Sequence, residues 1–283
     1  MSRGRSDVPN TDDSGAGALR IGDRFVVERT LAAGDLGEVF LARDLELGRG
    51  VAVKLHKDLE DVQRLHREAL TMAQVAHPNV VSVFAVGEHA GRTYVAMEYV
   101  EGKTLRAWLA EAPRSRREIV GALLAAGEGL AAAHSAGLVH RDFRPESIVV
   151  GTDGRVRVSD FGVPRRHAPV ERLSTDDITF DGSAKVAATA YLAPEQVAGQ
   201  RAGAAADQYA FAVVAYEALF GAEPRGGGRL RAVLVRAQSR DPGSRFPSLR
   251  ALLVAMKRAD RMRVYAIAGL VVLAAMIAVL VAL

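Results

Sequence analysis

Strand-forming and helix-forming segments are segregated on the two sides of Glu101-Gly102, and this division constrains the fold more than any other feature of the chain. Before it, Val, Phe and Leu cluster in five short stretches: Phe25 to Ala32, Glu38 to Arg43, Val51 to His56, Val80 to Val86 and Thr93 to Tyr99. Stretches of this length and composition read as β-strands. Between the third and fourth, Leu65, Ala69, Met72 and Ala76 recur at helical spacing within Leu59 to Ala76, which predicts one amphipathic helix. After Gly102 the period becomes helical, at Thr104 to Glu111 and at Arg116 to Ser135, where Ile119, Leu123, Ala126 and Leu130 share a face. Short strands are expected at Ser147 to Val150 and Arg155 to Ser159. Val163 to Leu192 is polar and aperiodic, and helices follow at Ala204 to Phe220, Arg229 to Gln238 and Ser248 to Ala259. Strands first and helices afterwards predict an α+β chain of two lobes, 21–100 and 101–258, with a cleft between them.

Both ends differ from this body. Residues 1–20 are rich in Gly, Ser and Asp, with no apolar run, and read as a disordered tail rather than a signal peptide. Val264 to Leu283 carries no charge and no Pro, and at roughly 1.5 Å per residue it is long enough to cross a bilayer. A transmembrane helix is expected there, a buried core helix being the alternative. Lys257, Arg258, Arg261 and Arg263 precede it, with 259–263 as a basic juxtamembrane segment, so the positive-inside rule predicts a single-pass membrane protein whose two lobes are cytoplasmic. Ala274 and Ala278 form a small-xxx-small pair compatible with a homodimer. The chain has no Cys, which excludes disulfides, thiolate metal sites and a Cys nucleophile. Its net charge of +4 is spread over scattered Arg without a basic patch interleaved with aromatics, so no nucleic-acid partner is expected.

The chemistry-bearing residues fall in loops around the expected cleft. His140-Arg141-Asp142-Phe143-Arg144-Pro145-Glu146-Ser147 sets a carboxylate among cationic and hydroxyl groups, and Asp160-Phe161-Gly162 follows one hairpin later. Two aspartates so spaced point to phosphate chemistry. Leu31-Ala32-Ala33-Gly34-Asp35-Leu36-Gly37-Glu38-Val39 is a glycine-containing hairpin that either folds over a nucleotide or is simply a tight turn. Val51-Ala52-Val53-Lys54 sets Lys54 on the same face as Ala52, and Glu68 on the following helix is placed to pair with it.

In order, the Gly loop, Val51-Ala52-Val53-Lys54, helix Glu68, His140-Arg141-Asp142, Asp160-Phe161-Gly162 and Ala193-Pro194-Glu195 resemble the signature set of the protein kinases over residues 21 to 258. His77-Pro78-Asn79-Val80, Met97-Glu98-Tyr99-Val100-Glu101-Gly102 and Asp241-Pro242-Gly243-Ser244-Arg245-Phe246 resemble the bacterial (Hanks-type) serine/threonine kinases in particular. The resemblance implies a bilobal kinase-like fold, with a five-stranded antiparallel sheet and one helix in the N-lobe and a mainly helical C-lobe. It also implies ATP and Mg²⁺ as the cofactors and proteins as substrates. Lys54, held by Glu68, would meet the α- and β-phosphates, Asp142 would take or orient the substrate hydroxyl, and Asp160 would hold Mg²⁺. Leu31, Gly34, Gly37, Val39, Ala52, Met97, Glu98, Val100 and Val149 would surround the nucleotide, with Met97 as gatekeeper. His140, Phe161 and Met72 resemble the stacked spine that couples the lobes, Asp207 the aspartate that caps the catalytic loop, and Glu195 with Arg245 the pair that anchors the activation segment. Ser174, Thr175, Thr179 and Ser183 are candidate phosphorylation sites.

The pattern departs from the family in four places. Ala32 replaces the first Gly of the loop. Arg144 stands where the family has Lys, and Ser147 where it has the metal-binding Asn. Ala188 removes a hydroxyl near the catalytic Asp, and between Pro224 and Leu230 a short Gly-rich connection replaces a helix that helps to dock protein substrates. The reading is a membrane-anchored serine/threonine protein kinase, with Asp142, Arg144, Lys54 and Glu68 catalytic, Asp160 and Ser147 on the metal, and reduced activity. The alternative is a pseudokinase that signals by binding nucleotide or partners.

Overall fold

In the computed structural model, which describes residues 19–34, 37–57, 69–161, 190–221 and 228–261, the first lobe is an antiparallel sheet of six strands. They are β1 (Arg20–Ile21), β2 (Phe25–Gly34), β3 (Gly37–Asp44), β4 (Arg49–His56), β5 (Val83–His89) and β6 (Arg92–Glu98), in the spatial order β1-β2-β3-β4-β6-β5. The sequence pattern predicts five strands. The sixth, β1, pairs Arg20 with Val26 and Ile21 with Phe25, so Arg20 belongs to the sheet rather than to the tail. A strand this short offers no alternation to read.

Alternation along β4 divides the lobe's interior in two. Val51, Val53 and Leu55 pack on one face with Ile21, Phe25, Phe40 and Ala42, closing a small core of their own. Ala52, Lys54 and His56 point the other way, toward the second lobe, as period two requires. On that side a helical turn at 69–73 contributes the buried Ala69 and Met72. Ala76, expected on this helix, lies beyond its end and is exposed, while Val75 is buried instead, its N–H bonded to the Met72 carbonyl. Leu65 and Glu68 lie outside the described residues.

The fourth predicted strand begins three residues late, at Val83, for a reason that links the lobes. Val80 bridges to Val158, and Val81 N–H donates to the Val158 carbonyl at 3.0 Å, so these residues extend the C-lobe sheet rather than the N-lobe one. That second sheet consists of β7 (Gly102–Thr104), β8 (Ile148–Gly151) and β9 (Val156–Val158). Ser147, expected at the start of β8, instead ends a single helical turn, Pro145–Ser147.

Among the described residues six α-helices complete the C-lobe: α1 (Leu105–Glu111), α2 (Arg116–Ser135), α3 (Pro194–Val197), α4 (Ala204–Phe220), α5 (Arg229–Ala237) and α6 (249–261). Ser115 and Glu118 form a reciprocal capping box at the start of α2. Its Gly129 is needed for close approach, since a Cβ there would lie 2.2 Å from the Asn79 carbonyl oxygen. Asn79 in turn donates through Nδ2 to the Val156 carbonyl at 2.6 Å, which fixes the inter-lobe segment against both α2 and β9. Helix α4 is buried from Ala206 to Ala215 on several faces, as its apolar composition requires. It ends at Phe220, and α5 begins at Arg229, leaving only Gly221 to Gly228 as the connection. Among the described residues no helix is long and apolar enough to cross a membrane; Val264 to Leu283 lies outside them.

Candidate active site

The catalytic-loop segment is held from below by one buried carboxylate. Asp207 on α4, 1% exposed, accepts from His140 N–H at 2.7 Å, from Arg141 N–H at 2.7 Å and from the His134 ring at 2.7 Å. Gln196 Nε2 donates to the Arg141 carbonyl at 3.0 Å, which ties the loop to α3 as well. With both flanking peptides bonded, Arg141 is kept at φ 69°, in the left-handed region. Asp160 is the other charged residue at positive φ in the cleft, at 61°. Non-glycine residues in this region cost energy and collect at functional sites.

His140 connects the two loops that carry the aspartates. Its Nε2 lies 2.9 Å from the Ser159 carbonyl, and its ring stacks against Phe143 (5.4 Å between centroids) and Phe161 (4.7 Å). Phe161 and Met72, both expected in a stack with His140, line one small cavity. Asp142 is half-buried two residues beyond His140, and Asp160 directly follows Ser159. The loops are thus registered against each other through one imidazole.

Asp160 meets Lys54 across the cleft, with Nζ donating to Oδ1 at 2.5 Å, and Ser159 Oγ donates to Oδ2 at 3.0 Å. Removal of the carboxylate from bulk water would raise its pKa, but the Lys54 ammonium and the hydrogen bonds from Lys54 and Ser159 hold it down at about 2. The side chain keeps 42% exposure toward the cleft, and solvent there moderates both effects. The predicted partner of Lys54, Glu68, lies outside the described residues.

Five of the residues expected around a nucleotide share one apolar cluster. Ala52 and Met97 are opposite each other in the β4 to β6 register and are buried, and Leu31, Val39 and Val100 pack against the same cluster. Val149 on β8 is half-buried, facing Thr104 in register. Glu98 is pinned through its side chain, 2.8 Å from Arg157 Nε. Gly37 is conformationally required: its φ is 144°, and an added Cβ would lie 2.2 Å from the Leu55 carbonyl. Gly34 has neither constraint, with nothing within 4 Å of a built Cβ.

The two substituted positions of the loop are engaged locally. Ser147, 3% exposed, donates from Oγ to the Arg144 carbonyl at 2.8 Å and accepts from Arg144 N–H at 3.2 Å. Arg144 Nε lies 2.9 Å from Glu146 Oε2 as an ion pair without hydrogen-bond alignment. Glu146 also bonds Arg106 of α1, which reaches Tyr191 OH at 2.7 Å and Glu217 of α4 at 3.1 Å. Burial and the Glu217 carboxylate push the Tyr191 hydroxyl well above its ordinary pKa. The anchor pair is bidentate, Arg245 to Glu195 at 2.7 Å on each oxygen, with the guanidinium side chain fully buried.

Sequence reasoning missed His56, Ser159 and the Arg106 cluster. His56 is 1% exposed with both ring nitrogens lacking a hydrogen-bond partner, and it lines the cavity behind Met97 together with Lys54 and Asp160. Burial, with repulsion from Lys54, lowers its pKa to about 4, so it is neutral. The period-two register of β4 places it on the Lys54 face, which is a usable signal. Arg106 and its partners are far apart in sequence and carry none. Gly162, Ala188 and the four candidate phosphorylation sites lie outside the described residues.

Known proteins match this arrangement. The protein kinase domain family profile matches residues 25–238. The chain is 36% identical over 243 residues to the serine/threonine-protein kinase PknA of Mycobacterium tuberculosis, covering 82% of this chain and 54% of that protein. It is 35% identical over 214 residues to the serine/threonine-protein kinase PrkC of Bacillus subtilis, covering 74% of this chain and 32% of that one. It thus spans about a third to a half of these relatives' lengths. The crystal structure of the M. tuberculosis PknI kinase domain superposes with a TM-score of 0.70 at 28% identity, covering 87% of this chain and 99% of that one. With the family profile spanning both lobes and the relatives agreeing, this chain belongs to the protein kinase family, among the bacterial Hanks-type serine/threonine kinases.

Proposed function

We propose that the chain transfers the γ-phosphoryl group of ATP to serine or threonine hydroxyls of proteins, with the lobes held at the cytoplasmic face of a membrane by Val264 to Leu283. The observation that supports the catalytic reading is the Lys54 to Asp160 pair across the cleft, together with the His140 bond to the Ser159 carbonyl that joins the loops carrying Asp142 and Asp160. In the reaction the acceptor oxygen forms its bond to the γ-phosphorus as the bond to the β-phosphate oxygen breaks. ADP leaves, and the hydroxyl proton passes to Asp142. Lys54 offsets phosphate charge, and the apolar walls formed by Leu31, Val39, Ala52 and Met97 suit an adenine ring.

Asp160 fits a hard cation, being ionised and held low in pKa beside the phosphate site. When bound, Mg²⁺ would supply charge neutralisation on the β- and γ-phosphate oxygens. Among the described residues no three His, Cys, Asp or Glu side chains gather as a metal cage. Ser147 is a weak candidate ligand for a second cation, since its hydroxyl proton goes to the Arg144 carbonyl and one of its two lone pairs to Arg144 N–H.

A pseudokinase is the second reading, and a specific contact favours it. Arg144 is paired with Glu146 rather than extended. Labelled phosphate transfer from Mg-ATP by the full chain, set beside Mg-ATP binding by thermal shift, separates the readings. Transfer supports the enzyme, and binding without transfer supports the pseudokinase.

A further inference from the structure

A groove of about 590 Å³ lies on the C-lobe between α5 and α6, away from the cleft. Phe246, Val233 and Val254 give it an apolar floor, and Arg229, Arg250 and Arg258 rim it. Among the described residues no carboxylate lines it. The nearest acid along α6, Asp260, is taken up by Arg116 at 3.1 Å. Arg250, Val254 and Arg258 recur at every fourth residue of α6 and are all exposed, Val254 at 42%. Arg250 and Arg258 hold no ion pair among the described residues.

We propose that this face docks flat on a membrane surface rich in anionic phospholipid, with headgroup phosphates on Arg250 and Arg258 and the apolar floor against the acyl boundary. Two observations select lipid as the occupant. The groove is cationic at the rim and apolar at the floor, which complements an anionic interface. Its α6 wall ends at Arg261, and the sequence then runs through Arg263 into the uncharged Val264 to Leu283, so this is the C-lobe face whose chain leads directly to the segment read as the span. The proposal rests on that reading of the anchor and adds an orientation, in which α5 and α6 lie on the bilayer and the cleft faces away from it or along it.

The absence of Cys allows a single environment-sensitive fluorophore on a Val254→Cys variant of the full chain. The labelled chain is assembled into nanodiscs of phosphatidylcholine alone, or with an equal part of phosphatidylglycerol, and co-elution with the discs reports anchoring separately. The proposal predicts a blue shift and brightening only in the anionic discs, lost at high salt and lost in Arg250→Glu with Arg258→Glu, while thermal unfolding is unchanged. Equal emission in both discs overturns it, and so does a shift that follows protein concentration rather than lipid charge, which identifies contact between copies. If the chain does not co-elute, the anchor reading fails. The same chain is then mixed with vesicles of the two compositions, where a shift on anionic vesicles alone supports the docking face and no shift overturns it.

Discussion

Lys54 and Asp160 join the two lobes directly, Nζ on β4 lying 2.5 Å from Oδ1 in the loop after β9. The pair holds an ionised carboxylate and an ammonium beside the place where phosphates would enter; the ammonium would offset phosphate charge, and the carboxylate would hold a cation. Lys54→Met should lower phosphoryl transfer by about 10²–10³-fold, the usual loss when one charge-stabilising donor is removed. It should also let the Asp160 pKa rise, because burial is then opposed mainly by the Ser159 hydrogen bond, without the Lys54 ammonium. Initial rates at saturating Mg-ATP check the first outcome, and full activity in the variant would contradict it.

His56 should make the fold acid-sensitive. Its pKa is about 4 in the fold against an ordinary 6.5, so between these values the unfolded chain binds a proton that the folded chain does not. Its contribution is therefore fully present above pH 6.5 and lost as pH falls toward 4. Replacing it by Leu removes a buried ring with two unpartnered nitrogens and removes that proton linkage. His56→Leu should gain on wild type as pH falls from 7 to 5, by on the order of 2 kcal/mol at pH 5. Thermal unfolding at the two pH values reads the difference directly, and a gap that does not widen would contradict the assignment.

The Glu195 and Arg245 pair should behave as a buried ion pair. Arg245→Ala leaves the Glu195 carboxylate largely buried without its partner, which should cost about 3–5 kcal/mol. Replacing both by apolar residues of similar volume should cost far less. Denaturant unfolding of the single and double variants checks the contrast.

The two loop glycines should differ sharply. Gly37→Ala meets both a left-handed backbone and the Leu55 carbonyl, and should destabilise by about 1–3 kcal/mol and weaken nucleotide binding. Gly34→Ala meets open space at an ordinary φ, and its unfolding midpoint should match wild type.

Much of the site was legible because kinase motifs are local: a strand's alternation sets Lys54, and Asp142 and Asp160 sit within short, recognisable loops. The bilobal division was legible for the same reason, as period two gives way to period 3.6 near Gly102. What escaped was set by tertiary contacts. Val80 and Val81 look like the start of a strand but pair with Val158, and Ala76 fits the helical spacing but lies past the helix end, two residues before Pro78. Ser147 stands at the family's metal position by resemblance of the loop motif, yet nothing in the sequence indicates that its hydroxyl closes on Arg144. The Arg106, Glu146, Tyr191 and Glu217 cluster joins α1, the Pro145–Ser147 turn, α4 and the segment before α3, and has no sequence signature at all.

The central claim is that Asp142 and its neighbours still perform phosphoryl transfer despite Arg144 and Ser147. Its most direct test is incorporation of labelled γ-phosphate from Mg-ATP by the full chain, compared with Asp142→Asn at matched Mg-ATP occupancy. The account predicts incorporation by wild type and a loss of about 10²–10⁴-fold in the variant, the range expected when a positioned proton acceptor is removed. Equal incorporation by the two, with Mg-ATP bound to both, would contradict it.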